Sequence, residues 1–195
     1  MCYHIKISKS KNEIESKLDL SISNLSNFQK AEALNGFDKP LTPVISNKNL
    51  KEIEMFKWGF DDDILRLNTR SETMNSKYPF KDFILNRCLI IVDGFYEWKH
   101  IGKSKNEKYE LGFNNEIFTL AAIYKLNKKN IYEYSILTTC AKGIMYDIHN
   151  SKPDDRRMPI AFKSHEKMYN YLNSGTLDYD FDFSYSNLSS QLSLF

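Results

Sequence analysis

The chain has 195 residues, 42% of them hydrophobic and 14% aromatic, with 27 Lys and Arg against 25 Asp and Glu for a net charge of +2. One domain of this length can bury a sizeable core, and the near balance of charge excludes a protein held to nucleic acid by bulk electrostatics, though not one with a local basic groove. Three cysteines without a CxxC pair argue against a structural zinc or a disulfide scaffold, and no run approaches the roughly 18 apolar residues of a membrane span, so the expectation is a soluble protein of a reducing compartment needing no metal and no cofactor.

In chain order, residues 3–7 alternate apolar and polar, which predicts a short strand almost at the amino terminus. Residues 11–33 have helical period, with Ile14, Leu18, Ile22 and Leu25 as the buried stripe. One Gly and two Pro make 36–43 an irregular loop; 51–60 reads as a strand and 68–76 as a loop entering a short helix. Four β-rich runs follow at 88–92, 95–98, 117–124 and 132–139, with polar turns expected at 101–108 and 127–130. Residues 164–172 read as a closing helix capped by Ser164. The class is α+β: a single domain over 2–173, dominated by an antiparallel sheet that curls on itself with a few flanking helices, and a flexible tail over 174–195.

Chemistry is suggested first by Cys2. Removal of the initiator Met would expose a 1,2-aminothiol, whose amine condenses with an aldehyde and whose thiol can then close a five-membered thiazolidine. The same group could act as an amino-terminal nucleophile in amide hydrolysis, or Cys2 could be a small buried residue opening the first strand. Glu97 lies within Asp93-Gly94-Phe95-Tyr96-Glu97-Trp98, where neighbouring aromatics could raise its pKa for general acid or base work, unless it faces outward on the polar side. His149 is a candidate proton shuttle or a structural residue. Arginine is scarce, 5 against 22 Lys, and falls at 66, 70 and 87 and then at 156 and 157, positions where a planar bidentate fork could clamp a phosphate.

Taken in order, Cys2, Asn68-Thr69-Arg70-Ser71-Glu72-Thr73, Arg87-Cys88-Leu89 leading to Glu97-Trp98, Ile148-His149 and Arg157-Met158-Pro159 resemble the SOS response-associated peptidase (SRAP) family, as do Trp58-Gly59-Phe60 and Leu120-Ala121-Ala122-Ile123-Tyr124. The resemblance spans about residues 2–172. It implies a sensor and shield of abasic sites in single-stranded DNA. In that family the cysteine exposed by removal of Met1 is linked to the ring-opened sugar as a thiazolidine, and the Met-removing autopeptidase activity uses the same centre. Carried over by position, Asn68 would orient the amino terminus and sugar, and Glu97 and His149 would move protons. Arg70 and Arg157 would grip phosphates, with Arg156 an alternative to Arg157, and Trp58 would contact a base or sugar. This chain departs from the family in its seven residues (150–156) between His149 and Arg157, where the family commonly keeps one or two. The competing readings are a cysteine hydrolase acting in trans and a non-covalent single-strand-binding module.

The last five residues hold Gln191, Leu192, Leu194 and Phe195, an apolar anchor pair behind a hydrogen-bonding glutamine. They resemble the short peptides by which bacterial replication and repair proteins dock on the sliding clamp. The expected partners are therefore abasic single-stranded DNA and that clamp, with the protein a monomer and no membrane involved.

Overall fold

The computed structural model describes residues 2–23, 28–102 and 104–189. The strand expected at the amino terminus is β1 (His4–Ile7). The helix expected over 11–33 ends much earlier: α1 spans Lys11–Leu18, opened by a reciprocal Ser10–Glu13 capping box and closed by Asp19 in the left-handed conformation. Beyond it lie β2 (Ser21–Ile22) and β3 (Ala31–Asn35), so Ile22 is buried from a strand. The expected loop at 36–43 is a turn followed by β4 (Leu41–Ser46), which pairs with β5 (Asn49–Trp58). Pro43 is accommodated inside this strand.

Three short strands, β6 (Phe60–Asp61), β7 (Leu65–Arg66) and β8 (Asn68–Arg70), are followed by β9 (Arg87–Val92) and β10 (Gly94–Ile101). Half of the polar turn expected at 101–108 is instead the start of β11 (Lys105–Gly112), which forms a hairpin with β10. Then come β12 (Phe118–Leu126), β13 (Tyr132–Cys140), α2 (Ile144–Ile148), β14 (Arg157–Pro159), β15 (Ala161–Phe162) and α3 (His165–Ser174), the last capped by Ser164 as expected. Residues 177–187, expected to be tail, pack on the domain: Phe183 is buried and β16 (Ser184–Asn187) pairs with β11. The Gln191–Phe195 motif lies outside the described residues.

Strands β4, β5, β13, β12 and β9 pair in a closed cycle, because β13 also runs parallel to β5. The curled sheet expected from the sequence is thus a small barrel, filled by Val44, Ile90, Leu120, Ala122, Ile136 and their neighbours on the same face, while Leu89 and Ile91 point the other way. A second sheet, ordered β16-β11-β10-β1-β3, stands beside it. The chain passes from one sheet to the other at Asp93-Gly94, between β9 and β10. Asp93 pins that corner to β1, accepting hydrogen bonds from the Ser8 backbone N–H and hydroxyl at 2.6 Å each. A Cβ at Gly94 would sit 3.3 Å from the Leu111 carbonyl oxygen, so the second sheet closes tightly at this point. The amino terminus is thereby brought beside β10 and the open end of the barrel. Among the described residues, no helix is long and apolar enough to cross a membrane.

Candidate active site

Cys2 precedes β1 and is fully buried. Its backbone carbonyl accepts a hydrogen bond from Asn68 Nδ2 at 2.9 Å. Asn68 can reach it because β8 lies parallel to β13, with Asn68 opposite Ile136, while the alternate residue Thr69 turns inward to donate to Ser135 Oγ. Asn68 Oδ1 is buried without a partner among the described residues, leaving an acceptor at the position where the chain begins. Burial, reinforced by the negative charge of Glu97, pushes the Cys2 thiol up to about 12, so the resting thiol is protonated.

Glu97 shares a face of β10 with Phe95, by the two-residue period of a strand, and its carboxylate accepts the Trp98 N–H at 3.1 Å. Burial raises its pKa above the usual carboxylate range. The upward shift makes this carboxylate a stronger proton acceptor than an exposed one. The outward-facing alternative for this residue does not hold.

His149 caps the carboxy-terminal end of α2 and is 7% exposed. Its Nδ1 accepts the backbone N–H of Arg157 at 3.3 Å, which leaves the proton of the neutral ring on Nε2. Burial pushes its pKa down to about 4. His149 lines a cavity of about 190 Å³ together with Tyr3, Ser151, Lys152, Asp155 and Arg157.

The arginines take separate roles. Arg157 is 3% exposed and binds Glu72 through both terminal nitrogens, at 3.1 and 2.8 Å, and the Thr138 carbonyl at 2.8 Å. Partial burial alone would raise Glu72, but these bonds hold its carboxyl down to about 2. Arg156 lies over the Tyr146 ring at 4.2 Å and donates to the Tyr146 carbonyl. Arg70 points from β8 to the rim of the cavity and pairs with Asp155. Arg87 binds the carbonyls of Leu172 and Asn173 at the end of α3, and Arg66 bonds the Ile64 carbonyl. Only Arg87 and Arg157 use two nitrogens of the guanidinium, and each of the five arginines engages a protein oxygen.

Trp58 does not present a face to a base. It is fully buried, donates its indole N–H to the Leu67 carbonyl at 3.1 Å and stacks on Tyr134 at 6.3 Å. Gly59, at φ +102°, turns the chain immediately after it, where a Cβ would lie 2.5 Å from Leu65. The aromatic beside the site is Trp98, half-buried and edge-on to His4 at 4.8 Å, a contact the sequence reading missed although Trp98 adjoins Glu97. Glu72 and Asp155 were also missed as partners. Glu72 lies inside the Asn68–Thr73 motif and Asp155 inside the unusual insertion, but carboxylates are too common on surfaces to be singled out from spacing.

The family model for SOS response associated peptidase (SRAP) matches residues 1–186. The abasic site processing protein YoqW of Bacillus subtilis is 30% identical over 132 residues, covering 64% of this chain and 56% of that protein. Abasic site processing protein HMCES of Gallus gallus is 27% identical over 146 residues, covering 60% of this chain and 42% of its own. The matched region therefore spans 56% of the first of these relatives and 42% of the second. A crystal structure of a protein from Bacteroides thetaiotaomicron superposes with a TM-score of 0.80 at 23% identity, covering 95% of this chain and 91% of the other, which shows a shared fold. With its family model matched over almost its whole length, the chain belongs to the SOS response-associated peptidase family.

Proposed function

We propose that this protein processes abasic sites in single-stranded DNA by covalent capture through Cys2 after Met1 is removed. The observation that carries the reading is the convergence on Cys2: Asn68 holds its carbonyl, Glu97 is near enough to shift its thiol, and His149 opens onto the cavity beginning at Tyr3. The names of the relatives, abasic site processing proteins, supply the substrate class.

The chemistry closes with these groups. The freed α-amine of Cys2 adds to the C1′ aldehyde of the ring-opened sugar, and loss of one water leaves an imine. The Cys2 thiol then adds to the imine carbon while its proton passes to nitrogen, giving a thiazolidine with no net gain or loss of atoms in that step. Because the thiol is protonated at rest, a base must accept its proton, and Glu97 is the carboxyl beside it. The Nε2 proton of His149 serves the departing water as a hydrogen-bond donor. Removal of Met1, by hydrolysis of the Met1–Cys2 amide with uptake of one water and release of methionine, belongs to the same proposal.

The test uses Met1-processed protein and a single-stranded oligonucleotide carrying one abasic site. A species that survives denaturation should form with the aldehyde present and be lost in Cys2→Ala. Asn68→Ala should slow its formation by about tenfold, through lost positioning of the amine. Equal crosslinking by Cys2→Ala overturns the reading.

A further inference from the structure

The insertion between His149 and Arg157 brings a carboxylate to the mouth of the cavity. Asp155, held in a turn by its N–H on the Lys152 carbonyl at 3.0 Å, lines the cavity and accepts a hydrogen bond from Arg70 Nη2. Arg70 stands two residues beyond Asn68 on β8, so both project from the same side of that strand, about 7 Å apart. Besides the Arg157–Glu72 pair, the wall that carries Asn68 and the wall that carries His149 are thus joined at the rim by the Arg70–Asp155 ion pair. Its side chains are 44% and 32% exposed, and a pair so open to water holds weakly. Arg157, by contrast, is buried against Glu72, so Arg70 is the rim guanidinium that an incoming anion can reach.

A carboxylate and a phosphodiester offer a guanidinium the same pair of anionic oxygens. We propose that Asp155 is a specificity-determining residue: it occupies Arg70 in the free protein as a stand-in for a phosphodiester, so that the mouth yields to an aldehyde carried on a nucleic-acid strand and resists a free neutral aldehyde. This rests on the covalent-capture reading above. A strand exchanges one anion for another at Arg70, and its phosphate repels the released Asp155 outward. A small neutral aldehyde has nothing to exchange. Discrimination of this kind comes from a built-in competitor rather than from added contacts.

The experiment compares Met1-processed wild type, Asp155→Asn, Arg70→Gln, the double variant and Asp155→Glu. Two quantities are read: affinity for undamaged oligothymidylate by fluorescence anisotropy, and the rate of mass gain with glycolaldehyde. Asp155→Asn should tighten oligothymidylate binding by about fivefold, by removing the competing anion. It should also speed the glycolaldehyde adduct by about fivefold, by opening the rim. In the Arg70→Gln background the affinity gain should vanish, because no fork remains to be freed, and Asp155→Glu should behave as wild type. The proposal is overturned if Asp155→Asn changes neither quantity, or if its affinity gain persists undiminished without Arg70. Failure of wild type to capture an abasic oligonucleotide would sink the covalent reading alone, since the anisotropy arm still judges Asp155.

Discussion

The backbone N–H of Arg157 donates to Nδ1 of His149 across 3.3 Å, so the strand carrying the buried arginine also sets the tautomer of the cavity histidine. The insertion of 150–156 therefore does not detach His149 from the Arg-Met-Pro segment. It bulges between two residues that remain hydrogen-bonded to each other.

His149 should make the fold sensitive to mild acid. Its folded pKa of about 4 lies below the ordinary 6.5, so the unfolded chain takes up a proton first as pH falls. The stability contributed by the neutral ring is fully present above pH 6.5 and is lost as pH falls from there to about 4. After allowance for solvent at the cavity edge, the loss should be about 2 kcal/mol. Urea denaturation at pH 7.5 and pH 4.5 should show this loss in wild type and a smaller one in His149→Gln.

Glu72 should matter more through Arg157 than on its own account. Glu72→Gln leaves a guanidinium whose side chain is 4% exposed without its charge partner, which should cost about 2 kcal/mol in chemical denaturation at pH 7. The depressed carboxyl contributes stability above pH 4.5 that disappears as pH falls to about 2, so the difference between wild type and Glu72→Gln should narrow at pH 3.

Trp58 should behave as a core residue. Trp58→Ala should destabilise the domain by about 4 kcal/mol, from lost burial and the cavity left behind. Trp58→Phe, which gives up the bond to Leu67 but keeps most of the packing, should retain wild-type affinity for single-stranded DNA in an anisotropy titration. A selective loss of affinity with unchanged stability would restore Trp58 as a DNA contact.

The carboxy-terminal residues Gln191, Leu192, Leu194 and Phe195 are proposed to bind a bacterial sliding clamp, a few anchors carrying most of the energy. Deleting 191–195 should abolish co-elution with purified clamp and leave abasic-site crosslinking unchanged. Undiminished clamp binding by the truncated protein would count against the motif.

The class of fold and most of the barrel strands were legible in the sequence, and the candidate set Cys2, Asn68, Glu97 and His149 came from the ordered resemblance to the family. Those features are local: an alternating apolar strand, a helix cap such as Ser164, or a short run of unusual residue types declares itself within a few positions. Whether Cys2 is buried, whether Glu97 faces in and what each arginine holds were decided only by tertiary structure. The decisive contacts join residues far apart in the chain, as with Asn68 and the Cys2 carbonyl, 66 residues apart, or Arg157 and Glu72, 85 apart. The same cause explains the errors. The helical period of 11–33 was overridden where β2 and β3 found strands to pair with. Polar β11 could be recognised only against β10 and β16. Trp58, placed by its motif near DNA, was enclosed because Tyr134 and the Leu67 carbonyl from neighbouring segments cover its face and its N–H.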